Sequence, residues 1–215
     1  MKVNSEDMLL YAVTDRAWPE SEDLYSQVKK ALKGGITFLQ LREKELDEET
    51  FLKEALKIKE LAKEYDVPFV INDNVDIAVK SDADGVHVGQ SDMEAGDVRK
   101  KIGKDKILGV SASNLKEAKL AEEKGADYLG VGAVFSTSTK LDADEVSFDT
   151  LKEICDNVSI PVVAIGGISK DNILKLKGTN VDGVAVVSAI FASSDIVNDT
   201  KELLKLSKEM VKGDK

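Results

Sequence analysis

Short apolar runs rich in Val, Ile and Leu alternate along the chain with longer segments whose apolar positions recur at helical spacing. The runs are Leu9–Val13, Phe38–Leu41, Pro68–Ile71, Gly85–Val88, Lys106–Val110, Tyr128–Val131, Pro161–Ile165 and Gly183–Val187. Most are apolar throughout, the pattern of parallel strands covered on both faces. The clearest helix spans about Glu48 to Tyr65, with Phe51, Ala55, Ile58, Ala62 and Tyr65 on one face and Asp47 as its N-cap. Asn114 with Glu117 forms a capping-box variant opening a helix that ends near Lys124. A last helix, about Asp195 to Val211, carries Leu203, Leu204, Met210 and Val211 on one side. Gly34–Thr37, Ala83–Val86, Gly125–Tyr128 and Val181–Val184 each close a helix and open a strand, a weak internal repeat of strand–helix–strand–helix units. Four such units predict an α/β fold, a (β/α)8 TIM barrel that forms a single domain over residues 1–215, near the short end for this architecture. A doubly wound open sheet is the alternative, disfavoured because no Gly-x-Gly-x-x-Gly follows the first run.

Composition narrows the function classes. With 42% hydrophobic residues, the 215-residue chain can bury a sizeable core. One cysteine rules out a disulfide framework. No apolar run approaches the roughly 20 residues that span a bilayer, so no membrane partner is expected. The polar, acidic start from Met1 to Asp7 does not read as a secretory signal, and the expected location is cytoplasmic. A net charge of -10 argues against nucleic acid as a partner. The same charge would repel a phosphorylated small molecule unless cations or a metal gather at one place.

In a barrel, chemistry sits at the C-terminal ends of the strands, and the unusual polar residues cluster there. Gln40, Arg42 and Lys44 share one face of an extended segment, offering a planar fork and a point charge to an anion. Asp73 and Asp92 end neighbouring strands and suit a hard divalent cation such as Mg2+; the competing reading is that each caps the helix that follows. Ser111 ends the fifth strand. Thr137, Ser138, Thr139 and Lys140 bring hydroxyls and an ammonium into one loop. Gly166-Gly167 lets a backbone approach a ligand closely, and Val187-Ser188 opens a short segment at the place where this fold often holds phosphate. His87 reads as a structural imidazole or an indirect donor rather than a general base. Cys155 reads as a buried structural thiol and Trp18-Pro19 as a loop anchor. Two anionic regions around one mouth, with no activated nucleophile, point to positioning and stabilisation of a departing phosphate group.

These motifs resemble one family. Tyr11-Ala12-Val13-Thr14-Asp15, Gln40-Leu41-Arg42-Glu43-Lys44, Ile71-Asn72-Asp73, His87-Val88-Gly89-Gln90-Ser91-Asp92, Gly109-Val110-Ser111-Ala112, Thr137-Ser138-Thr139-Lys140, Gly166-Gly167-Ile168 and Val187-Ser188 resemble the thiamin phosphate synthases in order and spacing, from about Met8 to Phe191. The resemblance implies a Mg2+-dependent transferase that joins hydroxymethylpyrimidine diphosphate to thiazole phosphate with release of pyrophosphate, through a pyrimidine carbocation. It implies that Gln40, Arg42 and Lys44 hold the pyrimidine diphosphate, that Asn72 meets the pyrimidine, and that Asp73 and Asp92 bind Mg2+. By the same resemblance Ser111 and Lys140 contact the pyrophosphate, with Arg42, Lys44, Lys140 and Ser111 as the catalytic set. Thr137 and Thr139 meet the thiazole phosphate, whose phosphate rests on Gly167, Val187 and Ser188. The sequence departs from the family pattern at Ser136, at Leu141 and across Asp144–Ser147, which bears on loop closure more than on chemistry. A thiazole tautomerase-like paralogue and a non-catalytic phosphate-ligand sensor are the other readings. The tautomerases place a catalytic His where this chain has Ser113, and a sensor has little need for paired carboxylates. A homo-oligomer is left open.

Overall fold

The computed structural model describes residues 3–17, 22–90, 92–136 and 145–212. The eight apolar runs become eight parallel strands: β1 (Leu10–Val13), β2 (Phe38–Leu41), β3 (Phe69–Asn72), β4 (Gly85–Val88), β5 (Ile107–Ala112), β6 (Tyr128–Val131), β7 (Val162–Ile165) and β8 (Gly183–Val186). They close into a barrel in sequence order, β8 pairing back onto β1 through Leu10–Val184, Tyr11–Ala185 and Ala12–Val186. The expected TIM barrel is the fold observed.

The helices are α1 (Leu24–Gly34), α2 (Glu48–Lys63), α3 (Val75–Lys80), α4 (Ala95–Ile102), α5 (Leu115–Glu123), α6 (Phe148–Asn157), α7 (Ser188–Phe191) and α8 (Ile196–Lys212). Their starts follow capping chemistry. Asp47 accepts from the Thr50 N–H at 3.0 Å, and Asn114 accepts from the Glu117 N–H at 3.0 Å while the Glu117 carboxylate takes the Ser113 N–H at 2.8 Å. Between β7 and β8 the expected helix is reduced to a single 3-10 turn, Ile173–Leu176. Gly178 and Asn180, both at positive φ, follow at once and turn the chain back toward the sheet. Among the described residues no helix is long and apolar enough to cross a membrane.

The core has two layers. Leu39, Leu41, Ile71, Val86, Leu108, Leu129 and Val184 point outward and pack beneath the helices. Tyr11, Phe38, Val70, Ile107, Tyr128, Val163 and Ala185 point inward and fill the barrel. This alternation carries one step further along the strands. Two residues beyond Phe38, Val70 and Ile107, toward the C-terminal mouth, stand Gln40, Asn72 and Gly109, and beyond Gly109 comes Ser111. The pleat that buries the apolar layer therefore presents polar groups at one end of it.

Candidate active site

The charged side of the mouth lies where β2, β3 and β4 end. Beyond the end of β2 at Leu41 the chain bends at Lys44 and Glu45, and Arg42, Glu43 and Lys44 each meet a partner of opposite charge. Arg42 Nη1 donates to the Asp15 carboxylate at 3.0 Å, and its backbone N–H donates to Thr14 Oγ1 at 2.9 Å. Lys44 Nζ donates to the Asp73 carboxylate at 3.2 Å. The Glu43 side chain is only 2% exposed and takes two hydrogen bonds from Arg16 Nε, at 2.9 and 2.8 Å, while Arg16 also pairs with Glu54 on α2. Burial pushes the Glu43 carboxyl up to about 7; Arg16 works against that rise and Glu54 adds to it.

Asp73 and Asp92 do not cap their helices. Asn74 is the N-cap of α3 and accepts from the Ile77 N–H at 2.9 Å, and α4 begins after Glu94. Asp73 instead sits at φ 60, the left-handed region, held by its own N–H on the His87 carbonyl at 2.8 Å. Asp92 accepts the Gly89 N–H at 2.7 Å and turns its carboxylate toward Asp73. Burial raises the Asp73 carboxyl above its ordinary range, the Asp92 carboxylate raises it further, and Lys44 offsets part of this. Two neighbouring carboxylates with an exposed ammonium on one of them fit a divalent cation. Among the described residues no group of three or more His, Cys, Asp or Glu is arranged to hold a metal, so the fit is to a cation that completes its shell with water and substrate oxygens.

The opposite side is built from backbone. Gly166 and Gly167 follow β7 at φ 102 and φ 63. A Cβ on Gly167 would lie 2.4 Å from the Ser136 carbonyl oxygen and 2.8 Å from that of Phe135, so only glycine lets the turn press against the segment after β6. Asn172 Nδ2 donates to the Gly167 carbonyl at 2.8 Å and fixes the turn from behind. Val187 precedes α7, and Ser188 is its first residue. Thr137, Thr139 and Lys140 lie outside the described residues, as do Trp18, Pro19, Ser91, Leu141 and Asp144. Of the departures from the family pattern, Ser136 donates to Glu145 at 2.8 Å, Val146 is buried, and Ser147 caps α6 by accepting from the Thr150 N–H at 3.1 Å. Ser113, in the tautomerase position, donates its hydroxyl to Glu117 at 3.0 Å and belongs to the cap of α5.

Between the two sides a chain of hydrogen bonds crosses the barrel interior. Gln40 Nε2 donates to the Tyr11 hydroxyl, which meets the Tyr128 hydroxyl at 2.7 Å. Tyr128 reaches His87 Nδ1 at 3.0 Å, and His87 Nε2 reaches Ser111 Oγ at 2.9 Å. Gln90 Nε2 donates to the Ser111 carbonyl at 2.6 Å. The structural role expected for His87 is thus accompanied by a direct link to Ser111. Sequence reading assigns no role to Tyr11, Tyr128, Asp15 or Arg16. The available signal is a pair of Tyr residues inside apolar strands, whose hydroxyls need partners once buried. Cys155 is partly buried on α6, and burial pushes its thiol up to about 12, in keeping with a structural role.

Known proteins share this arrangement of strands and strand ends. Residues 10–190 match the family model described as Thiamine monophosphate synthase. A Thiamine-phosphate synthase of Clostridium beijerinckii is 53% identical over 197 residues, 92% of this chain and 94% of that one. One of Methanobrevibacter smithii is 50% identical over 203 residues, 94% of this chain and 97% of that one. Among solved structures, a thiamine phosphate pyrophosphorylase from Pyrococcus furiosus superposes with a TM-score of 0.89 at 40% identity, covering 96% of this chain and 98% of that one. The strand-end motifs that gather at the mouth fall within the matched span, and the chain belongs to the thiamine monophosphate synthase family.

Proposed function

We propose that this chain is a transferase that joins a hydroxymethylpyrimidine diphosphate to a thiazole phosphate, releasing pyrophosphate, with Mg2+ at Asp73 and Asp92. The observation that carries the reading is the convergence of those two carboxylates with Lys44 and Arg42 at the ends of β2, β3 and β4. Its support is a family whose members, at about this length, are named Thiamine-phosphate synthase.

In this reaction the bond between the pyrimidine methylene and the diphosphate oxygen breaks, and the oxygen keeps the electron pair. The thiazole ring nitrogen gives its lone pair to the methylene carbon, so a C–N bond replaces the C–O bond. The carbocation between these steps is stabilised by the pyrimidine's own amino group. The protein therefore needs to orient two ligands and hold a departing anion rather than supply a nucleophile. Gln40 and Asn72 orient the pyrimidine. Arg42 exchanges Asp15 for a diphosphate oxygen, and Lys44 leaves Asp73 to do the same; each cation is kept over the mouth by its carboxylate until then. Ser111 and Lys140 receive the leaving pyrophosphate. Thr137 and Thr139 meet the thiazole phosphate, whose phosphate rests on the backbone at Gly167, Val187 and Ser188. When bound, Mg2+ neutralises charge on the diphosphate and makes it a better leaving group. Both ligands are small and charged, and a cytoplasmic location belongs to the same reading.

The test is direct. Incubation with both substrates and Mg2+ releases pyrophosphate, omission of either substrate abolishes the release, and EDTA stops it. No pyrophosphate with both substrates and Mg2+ present overturns the reading. Release that survives EDTA removes the metal from it.

A further inference from the structure

The hydrogen-bond chain through the barrel can run in one of two directions, and the Gln40 amide, which gives a hydrogen at one end, favours one of them. Burial holds both phenols well above their ordinary range, so Tyr11 and Tyr128 stay protonated and each has one O–H to give. Gln40 Nε2 gives a hydrogen to Tyr11. The Tyr11 and Tyr128 hydroxyls lie 2.7 Å apart, within reach of donation either way, and donation by Tyr11 continues the direction that Gln40 starts. In that direction the Tyr128 hydrogen is directed at His87 Nδ1, 3.0 Å away. A His87 that accepts at Nδ1 carries its proton on Nε2, and Nε2 faces Ser111 Oγ at 2.9 Å. Ser111 therefore accepts from the imidazole, and its own hydrogen points elsewhere. Reversing the amide of Gln40 reverses every bond in turn, makes His87 accept at Nε2, and turns the Ser111 hydrogen back into the protein.

Space for this chain is cleared on two neighbouring strands. A Cβ on Gly109 of β5 would lie 2.3 Å from the Tyr128 hydroxyl oxygen and 2.5 Å from His87 Nδ1. A Cβ on Gly130 of β6 would lie 3.2 Å from His87 Cε1. Glycine inside a strand weakens it, and here two strands accept that cost next to one imidazole.

We propose that Tyr128 and His87 are positioning residues that fix Ser111 as a hydrogen-bond donor toward the ligand, with the direction set by Gln40 at the other end of the chain. A donor at Ser111 strengthens as negative charge builds on the leaving oxygen, and the donor costs no reorientation because the imidazole already occupies its acceptor side. One ligand-facing group, Gln40, is thereby coupled to another, Ser111, across the barrel. The catalytic part of this inference rests on the function proposed above; the direction of the chain does not.

The chain holds one histidine, so 15N labelling of histidine gives one imidazole spectrum. At neutral pH the free protein is expected to show a pyridine-type Nδ1 and a protonated Nε2. A protonated Nδ1, alone or in an imidazolium, overturns the direction. In pyrophosphate-release assays, Tyr128→Phe keeps the ring and removes one donor, and is expected to lower kcat about tenfold while the KM for thiazole phosphate stays unchanged. In a Ser111→Ala background the same substitution is expected to add nothing, because its target is gone. Additive losses in the double variant mean that Tyr128 acts by packing and overturn the positioning role. Absence of pyrophosphate release by the unsubstituted protein falls on the proposed function instead, and the spectrum still decides the direction.

Discussion

The β2–β4 side of the barrel mouth and the β7–β8 side are built from different materials. On the first, every cation already has a carboxylate: Arg42 holds Asp15, Lys44 holds Asp73, and Arg16 holds Glu43 and Glu54. On the second, the turn is Gly166-Gly167 in left-handed conformations, with Val187-Ser188 beside it. The charged side holds its cations against internal partners, which the proposed diphosphate would have to displace. Among the described residues the backbone side is shaped by main-chain conformation at Gly166 and Gly167. This division explains how a chain of net charge -10 can offer two places to anions. In the function proposed above, the negative surplus at the first holds a cation, and the second offers main-chain groups.

The sharpest way to break the comparison is to disable the carboxylate pair without touching the turn that carries it. Asp92→Asn keeps an oxygen for the Gly89 N–H, now accepted by Asp92 at 2.7 Å, while removing the negative charge that faces Asp73. Turnover is expected to fall on the order of a thousandfold. Thermal and urea unfolding should stay within about 0.5 kcal/mol of the unsubstituted protein. A Mg2+ titration of initial rates checks it; an unchanged Mg2+ requirement puts the metal somewhere other than this pair.

The backbone side should respond in the opposite sense. Gly167→Ala places a Cβ 2.4 Å from the Ser136 carbonyl oxygen at a φ of 63, so the turn must open. The expected outcome is a KM for thiazole phosphate raised about tenfold, with a stability loss of about 1–2 kcal/mol. The KM for the pyrimidine diphosphate stays within about twofold. Initial rates with each substrate varied in turn measure both constants. Equal increases in the two would mean that the sides are not separate.

The legibility of the sequence follows the same division. Arg42, Lys44, Asp73 and Asp92 stand out because a charge at the end of an apolar strand needs a ligand or an ion pair to offset its desolvation. Their partners do not stand out: Asp15 could pair with anything that the barrel closure brings near, and that closure joins residues 27 positions apart. Helix starts are legible from Asp47 and Asn114, since capping is local chemistry. Ends are less so. The apolar period carries on to Tyr65, yet α2 stops at Lys63, because Asp66 at φ 55 folds the chain back and the Val67 N–H bonds to the Ala62 carbonyl. The full seventh helix implied by regular spacing shrinks to a 3-10 turn before Gly178 and Asn180. The hydrogen-bonded interior is hardest to read, because its direction depends on five strands meeting at once.

The smallest expected effect uses pH to separate the two sides. The Glu43 carboxyl, raised to about 7 by burial and by Glu54 against the opposing pull of Arg16, releases its proton near pH 4.5 when the chain unfolds. Between about pH 4.5 and 7 the folded state therefore holds a proton that the unfolded state has lost. Stability falls as pH rises through that window and levels off above it. After solvent screening the loss is on the order of 1 kcal/mol. Glu43→Gln cannot ionise and should flatten this fall, becoming more stable relative to the unsubstituted protein at pH 8 than at pH 5. Urea unfolding at pH 5, 6, 7 and 8 gives both curves, and parallel curves would show that Glu43 titrates normally. Gly167→Ala, measured over the same range, should run parallel to the unsubstituted protein, because the substitution adds and removes no titratable group. If its curve bends instead, the turn after β7 is coupled to the ion pairs at β2, and the two sides of the mouth act as one unit.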